Sequence, residues 1–190
     1  MLNSEKEKTK GKTGFVAIIG RPNTGKSTLL NNILGRKISI ISSVPQTTRY
    51  QIRGILNINN SQIVFIDTPG MHSFKDKLAA HLNTVAKKSL EGCDLAVYVV
   101  DSSRRVGREE QKLARIAANS GIKIVMVLNK IDLGGRFLGD YIKLWQAFIG
   151  GEDKLLYYLP LSAKTGKNVD KLKEILLENL PSGEMFYPPE

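Results

Sequence analysis

The pattern GRPNTGKS at residues 20–27 is the sequence feature that most constrains the fold of this chain. It follows an apolar run at residues 15–19, of the kind that forms a buried strand, and precedes residues 28–34, which can form a helix. Gly20 and Gly25 permit backbone angles and a close approach that a Cβ would block, so successive N–H groups can point at one anion. This strand, loop and helix predict a phosphate-binding loop, the P-loop, in an α/β fold.

Two side chains of the P-loop carry functional groups suited to a nucleotide. Lys26 adds a mobile positive charge for β- and γ-phosphates, and the Ser27 hydroxyl can bind Mg²⁺. The residues expected to surround the phosphates are Arg21, Pro22, Asn23, Thr24, Gly25, Lys26, Ser27 and Thr28.

The NKID sequence at residues 129–132 indicates which base the nucleotide carries. It follows an apolar run at residues 122–128, so its side chains would emerge at the carboxyl edge of a sheet, where open α/β sheets bind ligands. The Asp132 carboxylate can accept hydrogen bonds from guanine N1–H and the 2-amino group, and adenine offers neither donor in that arrangement. Asn129 would reach N7, while the stem of Lys130 would cover one face of the base. We therefore expect GTP and GDP as ligands.

Two further elements fit the same site. SAK at residues 162–164 follows an apolar run at residues 155–161, and the Ala163 N–H can donate to guanine O6. Asp67 follows a third apolar run and opens the sequence DTPG, so it can hold Mg²⁺ through water while the Gly70 N–H meets the γ-phosphate. The residues predicted to bind the base are then Asn129, Lys130, Asp132, Ser162, Ala163 and Lys164.

The order of these elements resembles that of translation-factor-class small GTPases, and KISIISSVPQTTR at residues 37–49 is similar to switch I of the Era family. The resemblance runs from about residue 14 to the end, and includes DTPGMH at residues 67–72 and FYPP at residues 186–189. It implies GTP hydrolysis and a role in assembling the small ribosomal subunit. Era also carries a C-terminal K-homology domain that binds ribosomal RNA, and this chain stops where the linker to that domain would begin.

The residue after Gly70 departs from the Ras-like arrangement, in which a Gln orients the attacking water. This chain has Met71, which offers no useful hydrogen bond. The Era resemblance implies that K⁺ held by Asn23 takes over part of this role. Thr48 is the expected Mg²⁺ ligand in switch I, with Thr47 kept open because the sequence does not decide between adjacent hydroxyls. The predicted catalytic residues are Lys26, Asn23, Thr48 and Gly70, and the predicted metal ligands are Ser27, Thr48 and Asp67.

The remaining sequence alternates between apolar runs and amphipathic segments. Residues 49–58 and 62–66 flank a polar turn and predict a hairpin. Further strands are expected at residues 95–100, 122–128 and 155–161, and helices at residues 75–90, 109–119, 137–149 and 168–180. This pattern predicts an α/β three-layer sandwich of the P-loop NTPase, Ras-like kind, with a mostly parallel six-stranded sheet and one antiparallel edge strand. We divide the chain into a flexible basic tail at 1–13, a GTP-binding domain at 14–181 and the start of a linker at 182–190.

The net charge of +10 is concentrated in the first third of the chain. Nine Lys or Arg and no Asp or Glu lie between residues 8 and 66, so a positive field would steer a polyanionic nucleotide and could also attract RNA. Basic charge alone does not establish specific RNA binding. Ribosomal RNA and the small ribosomal subunit are therefore partners by resemblance only.

Apolar runs are far shorter than the eighteen residues that a membrane span needs, and no secretory signal opens the chain. We expect a cytoplasmic monomer, and the resemblance leaves peripheral membrane association open.

Glu109 and Glu110 are expected to start a helix rather than form a catalytic dyad, and Trp145 and Cys93 are expected in the core. His72 is kept as a candidate for switch movement. Two alternative functions are a GTP-sensing module with little turnover and a P-loop ATPase or kinase, against which NKID and SAK argue.

Overall fold

The computed structural model describes residues 11–35, 51–67, 90–148 and 155–188. Within these ranges six strands and four helices follow one another along the chain. They are β1 (Thr13–Ile19), α1 (Lys26–Leu34), β2 (Gln51–Ile58), β3 (Ser61–Asp67), β4 (Leu95–Asp101), α2 (Arg108–Ala118), β5 (Lys123–Asn129), α3 (Leu138–Phe148), β6 (Leu155–Pro160) and α4 (Val169–Asn179). A single 3₁₀ turn, Ile131–Leu133, separates β5 from α3.

The six strands form one sheet in the order β2-β3-β1-β4-β5-β6. Every neighbouring pair is parallel except β2 and β3, which form the predicted hairpin, so β2 is an antiparallel edge strand. All seven residues of the central strand β4 are buried, as expected for a parallel strand that helices cover on both faces. The predicted fold class is confirmed.

Alternate residues along the strands feed two separate cores, one on each face of the sheet. Val16 of β1 packs in the core that α1 and α4 cover, whereas its neighbour Ala17 packs in the core beneath α2 and α3. The helix residues of the first core include Leu29, Ile33, Leu172 and Ile175, and those of the second include Leu113, Tyr141 and Trp145. The two cores and the sheet between them are the predicted three-layer sandwich.

The strands and helices predicted within the described ranges are present, with ends that differ by at most two residues. Trp145 is fully buried, and Cys93 is a buried free thiol whose pKa rises to about 12, chiefly because of burial. The helix predicted at residues 75–90, switch I at residues 37–49 and most of the basic tail lie outside the described residues. No helix in the described ranges is long and apolar enough to cross a membrane.

The parallel strands bring the predicted motifs to one edge of the sheet. The P-loop follows β1, NKID begins at the end of β5, and SAK comes directly after β6. Because β1, β4, β5 and β6 run in one direction, their carboxyl ends meet at the same edge.

At the other end of the hairpin, Gln62 holds the C-terminal segment of the described chain. Its Nε2 donates to Asn57 Oδ1 at 2.8 Å and to the Tyr187 carbonyl at 2.9 Å, and its Oε1 accepts from the N–H groups of Phe186 and Tyr187 at 3.0 and 3.1 Å. The Phe186 ring also stacks on Phe15, with centroids 4.7 Å apart. One buried amide thus ties the segment after α4 to β3.

Replacing Gln62 should therefore destabilise the fold. Gln62→Ala removes four hydrogen bonds from a fully buried site, and we expect the free energy of unfolding to fall by about 2 kcal/mol in urea denaturation. Gln146→Ala, at an exposed position of α3, is the matched control and should change it by less than about 0.5 kcal/mol. Equal effects of the two substitutions would contradict the role assigned to Gln62.

Candidate nucleotide-binding site

The P-loop connects β1 to α1 through three residues of positive φ, of which Gly20 has φ 152°. Asn23 has φ 65° and Gly25, the residue before α1, has φ 99°. A Cβ at Gly25 would lie 2.3 Å from Nδ2 of Asn129, so glycine is required there both by the backbone angle and by the approach of that amide. The loop and the NKID sequence are therefore in direct contact.

Lys26 lies against the backbone of this loop. Its Nζ donates to the carbonyl oxygens of Gly20 at 2.8 Å and Arg21 at 2.6 Å. The buried Thr24 also donates, through Oγ1, to the Arg21 carbonyl at 3.0 Å. The ammonium predicted to meet the phosphates is thus fixed beside the loop that would surround them.

Asn129 joins three of the four predicted elements. It ends β5 with 1% of its surface exposed, and its Nδ2 donates to the Thr24 carbonyl at 2.8 Å. Its Oδ1 accepts from the Ala163 N–H at 2.9 Å. In this structure Asn129 and Ala163 therefore bind each other, and their predicted contacts with guanine N7 and O6 stay predictions.

Lys130 makes a second link between NKID and the P-loop. It adopts φ 68°, and its Nζ donates to the Asn23 carbonyl at 2.8 Å and to Asp101 Oδ2 at 2.6 Å. Although burial opposes the charge of Asp101, hydrogen bonds from Lys130 and Ser103 hold the pKa of its carboxyl below its usual value. Asp101 is not among the residues that the sequence predicts for this site. Its position could have indicated a role, because Asp101 directly follows an apolar run, as Asn129 does. The two residues are also paired in the register of β4 and β5.

Asp132 lies in the 3₁₀ turn after β5 and is exposed. Its Oδ1 accepts a hydrogen bond from the buried Ser162 hydroxyl at 2.6 Å. Ser162 therefore orients the carboxylate that we expect to read the base, a role that sequence reasoning did not assign to it. Lys164, two residues further along, is exposed.

Arg21 extends from the P-loop to the start of α2. Its Nη1 lies 3.0 Å from Glu110 Oε2, and its Nη2 lies 3.0 Å from Glu109 Oε2. Both glutamates lie in the first turn of α2, as predicted, but no sequence pattern indicates that Glu110 is buried. Burial raises the pKa of Glu110 despite the opposing effect of Arg21.

The predicted Mg²⁺ ligands are described only in part. Ser27 and its neighbour Thr28 are exposed in the first turn of α1, so a hydroxyl is available beside the P-loop. Asp67 ends β3, as predicted. Thr47, Thr48, Gly70, Met71 and His72 lie outside the described residues.

A strand–loop–helix phosphate site beside NKID and SAK, on a sheet with one antiparallel edge strand, defines the class of P-loop GTPases. The profile of a family described as 50S ribosome-binding GTPase matches residues 15–130. The chain belongs to this family of GTPases.

Within that family the predicted resemblance to Era is confirmed. The chain is 40% identical over 178 residues to GTPase Era of Heliobacterium modesticaldum, covering 93% of this chain and 58% of that protein. It is 42% identical over 179 residues to GTPase Era of Borreliella burgdorferi, covering 94% and 61%. A crystal structure of Era in complex with MgGDPNP and nucleotides 1506–1542 of 16S ribosomal RNA has a TM-score of 0.67 at 36% identity, covering 94% of this chain and 60% of that one. The chain thus spans about three fifths of the length of these relatives.

The contact between Gly25 and Asn129 can be tested by substitution. Gly25→Ala adds a Cβ that forces Asn129 away from Thr24, and we expect the free energy of unfolding without nucleotide to fall by about 2 kcal/mol more than in the control. Gly134→Ala is the matched control, because Gly134 has a similar φ of 94° and no atom within 4 Å of the added Cβ. Equal losses in urea denaturation would show that backbone strain alone explains the requirement for glycine.

Proposed function

We propose that this chain binds GTP and GDP with Mg²⁺ and hydrolyses GTP to GDP and phosphate. The observation that carries this proposal is the Asn129 side chain, which hydrogen-bonds to the P-loop at Thr24 and to SAK at Ala163. A loop suited to phosphates and a pair of loops suited to a base are thereby held at a fixed separation. Such an arrangement supports binding of one molecule that contains both groups.

Guanine specificity is assigned to Asp132. Its exposed carboxylate is oriented by Ser162, and an anionic acceptor matches the adjacent N1–H and 2-amino donors of guanine. Adenine would leave this carboxylate without donors, so ATP should bind far more weakly.

Phosphate binding is assigned to the P-loop N–H groups and to Lys26. The hydroxyl of Ser27, exposed in the first turn of α1, suits a hard cation that prefers oxygen ligands. Ser27, a switch I threonine (Thr48, with Thr47 as the alternative) and Asp67 would hold Mg²⁺, which offsets charge on the β- and γ-phosphates when bound.

Hydrolysis is assigned to charge stabilisation rather than to a side-chain base, since phosphoryl transfer to water depends mainly on positioning and electrostatics. Gly70 would donate its N–H to the γ-phosphate. The exposed Asn23 side chain, at the tip of the P-loop, is proposed to bind K⁺ near the phosphates and so to serve where Met71 replaces a water-orienting Gln.

The similarity to the Era complex supports ribosomal RNA of the small subunit as a partner. That structure contains 16S ribosomal RNA, and this chain matches 60% of the Era chain in it. We therefore propose that this protein is a cytoplasmic monomer whose GTPase cycle is linked to small-subunit assembly.

The assignment of Asp132 predicts a change of base specificity. Asp132→Asn replaces an acceptor with a group that can donate to the carbonyl at position 2 of xanthine, so the ratio of GDP to XDP affinity should fall at least about tenfold. Competition of labelled GDP by GDP, XDP and ADP measures this ratio. Asp140→Asn, at an exposed position of α3, is the control and should leave it unchanged. A variant at Asp132 that keeps the original ratio would show that another residue reads the base.

The assignment of Asn23 predicts faster GTP hydrolysis in KCl than in NaCl at equal ionic strength. A missing charge stabiliser in such sites typically changes rates by about 10² or more, so we expect a difference of at least about tenfold under single-turnover conditions with saturating Mg²⁺. Asn23→Ala should remove most of it while GDP affinity changes little, and the exposed Asn119→Ala should not.

Two outcomes would revise the proposed hydrolysis. Equal rates in the two salts would exclude the cation mechanism while leaving the GTPase assignment intact. Binding of GTP with no turnover in either salt would instead favour the GTP-sensing module.

A further inference from the structure

We infer that Glu110 is a positioning residue for the phosphate half of the site, acting through Arg21 on the P-loop. This inference rests on the proposed nucleotide binding and assigns a role to a residue outside the four motifs.

The two carboxylates that contact Arg21 differ sharply in their surroundings. The side chain of Glu109 is 70% exposed, whereas that of Glu110 is 1% exposed. An exposed ion pair is screened by water and contributes little. A buried carboxylate must be compensated by its partners, so the Glu110 contact fixes where the guanidinium of Arg21 lies.

Arg21 passes this constraint to the phosphate-binding lysine. Its guanidinium is bound to α2, while its own backbone carbonyl accepts from Lys26 Nζ at 2.6 Å and from Thr24 Oγ1 at 3.0 Å. The residue that Glu110 anchors is therefore one of those whose backbone carbonyl binds Lys26. Arg21 thus connects the buried Glu110 carboxylate of α2 to the Lys26 ammonium, which is predicted to bind phosphates.

The other surroundings of Glu110 make a purely stabilising role a poor explanation. Its Oε1 accepts from Tyr98 Oη over 3.3 Å, and the further ionisable groups that act on it are Asp101 and Tyr141. Burial raises the pKa of Glu110 in the folded chain above its ordinary value of 4.5. The folded state therefore holds that proton more tightly than the unfolded state, and the ionised carboxylate lowers stability at pH 7. A charged residue at this position is therefore explained better by its effect on the position of Arg21 than by a contribution to stability.

Glu110→Gln separates the two roles because it keeps the shape and an acceptor oxygen but removes the charge. At pH 7 we expect the free energy of unfolding without nucleotide to be unchanged or higher. We expect the affinities for GDP and GTP to fall about fivefold or more, as for loss of a charged hydrogen bond. The ratio of GDP to IDP affinity should stay constant, because IDP lacks only the 2-amino group that Asp132 reads.

The control is Glu109→Gln, which removes the exposed carboxylate from the same guanidinium and should change GDP affinity by less than about twofold. The double variant Arg21→Lys with Glu110→Gln should bind GDP no more weakly than whichever single variant has the lower affinity. The reason is that both substitutions break the same Arg21–Glu110 contact. Lowering the pH through the raised pKa of Glu110 should bring the wild-type affinity toward that of Glu110→Gln.

Each outcome has a separate meaning. Failure of the wild-type chain to bind GDP would overturn the proposed function itself. Normal wild-type binding with an unchanged Glu110→Gln affinity would overturn only this inference. A loss of affinity accompanied by a matching loss of stability and a changed GDP to IDP ratio would also overturn it, since Glu110 would then support the fold as a whole.

Discussion

The site depends on one buried amide. Asn129 has a donor directed at the P-loop and an acceptor directed at SAK, so a single side chain fixes the distance between loops that follow β1, β5 and β6. Buried polar groups without partners are costly, and each group here satisfies another. Any movement of one loop therefore leaves a donor or acceptor unpaired on a second loop.

The sheet places the Asn129 side chain within hydrogen-bonding distance of both loops, and the adjacent Lys130 makes a further contact with the P-loop. Parallel register places Asp101 opposite Asn129, and Lys130 then connects Asp101 to the Asn23 carbonyl. Side chains of NKID thus contact the P-loop backbone at two points, Asn23 and Thr24. Backbone carbonyls of the P-loop receive donors from Lys26, Asn129 and Lys130. The same bonds satisfy the loop and set its shape.

The parts of this structure that could be predicted are those that depend on local sequence patterns. Apolar runs ending in a polar motif identify strands and the edge where their ends meet, which is why the sequence alone predicts that Asn129 and Asp132 lie at the carboxyl edge. The Arg21–Glu110 contact spans 89 residues and the Gln62–Phe186 contact spans 124, and neither Glu110 nor Gln62 belongs to a recurrent motif. A glutamate in the first turn of a helix is ordinary for an exposed helix. Only the packing of α2 against the P-loop makes Glu110 a buried charge.

The two lysines of the site make their described contacts at the two ends expected to bind a guanine nucleotide. Lys130 donates to Asp101, a carboxylate whose pKa is lowered by that bond, so the two charges offset each other. On the base side Asp132 then supplies an anionic acceptor where guanine presents donors. Lys26 donates to the backbone carbonyls of Gly20 and Arg21, which orient its ammonium beside the P-loop. Glu110 anchors Arg21 from α2, so a buried acidic group outside the P-loop helps to position the carbonyl that Lys26 contacts.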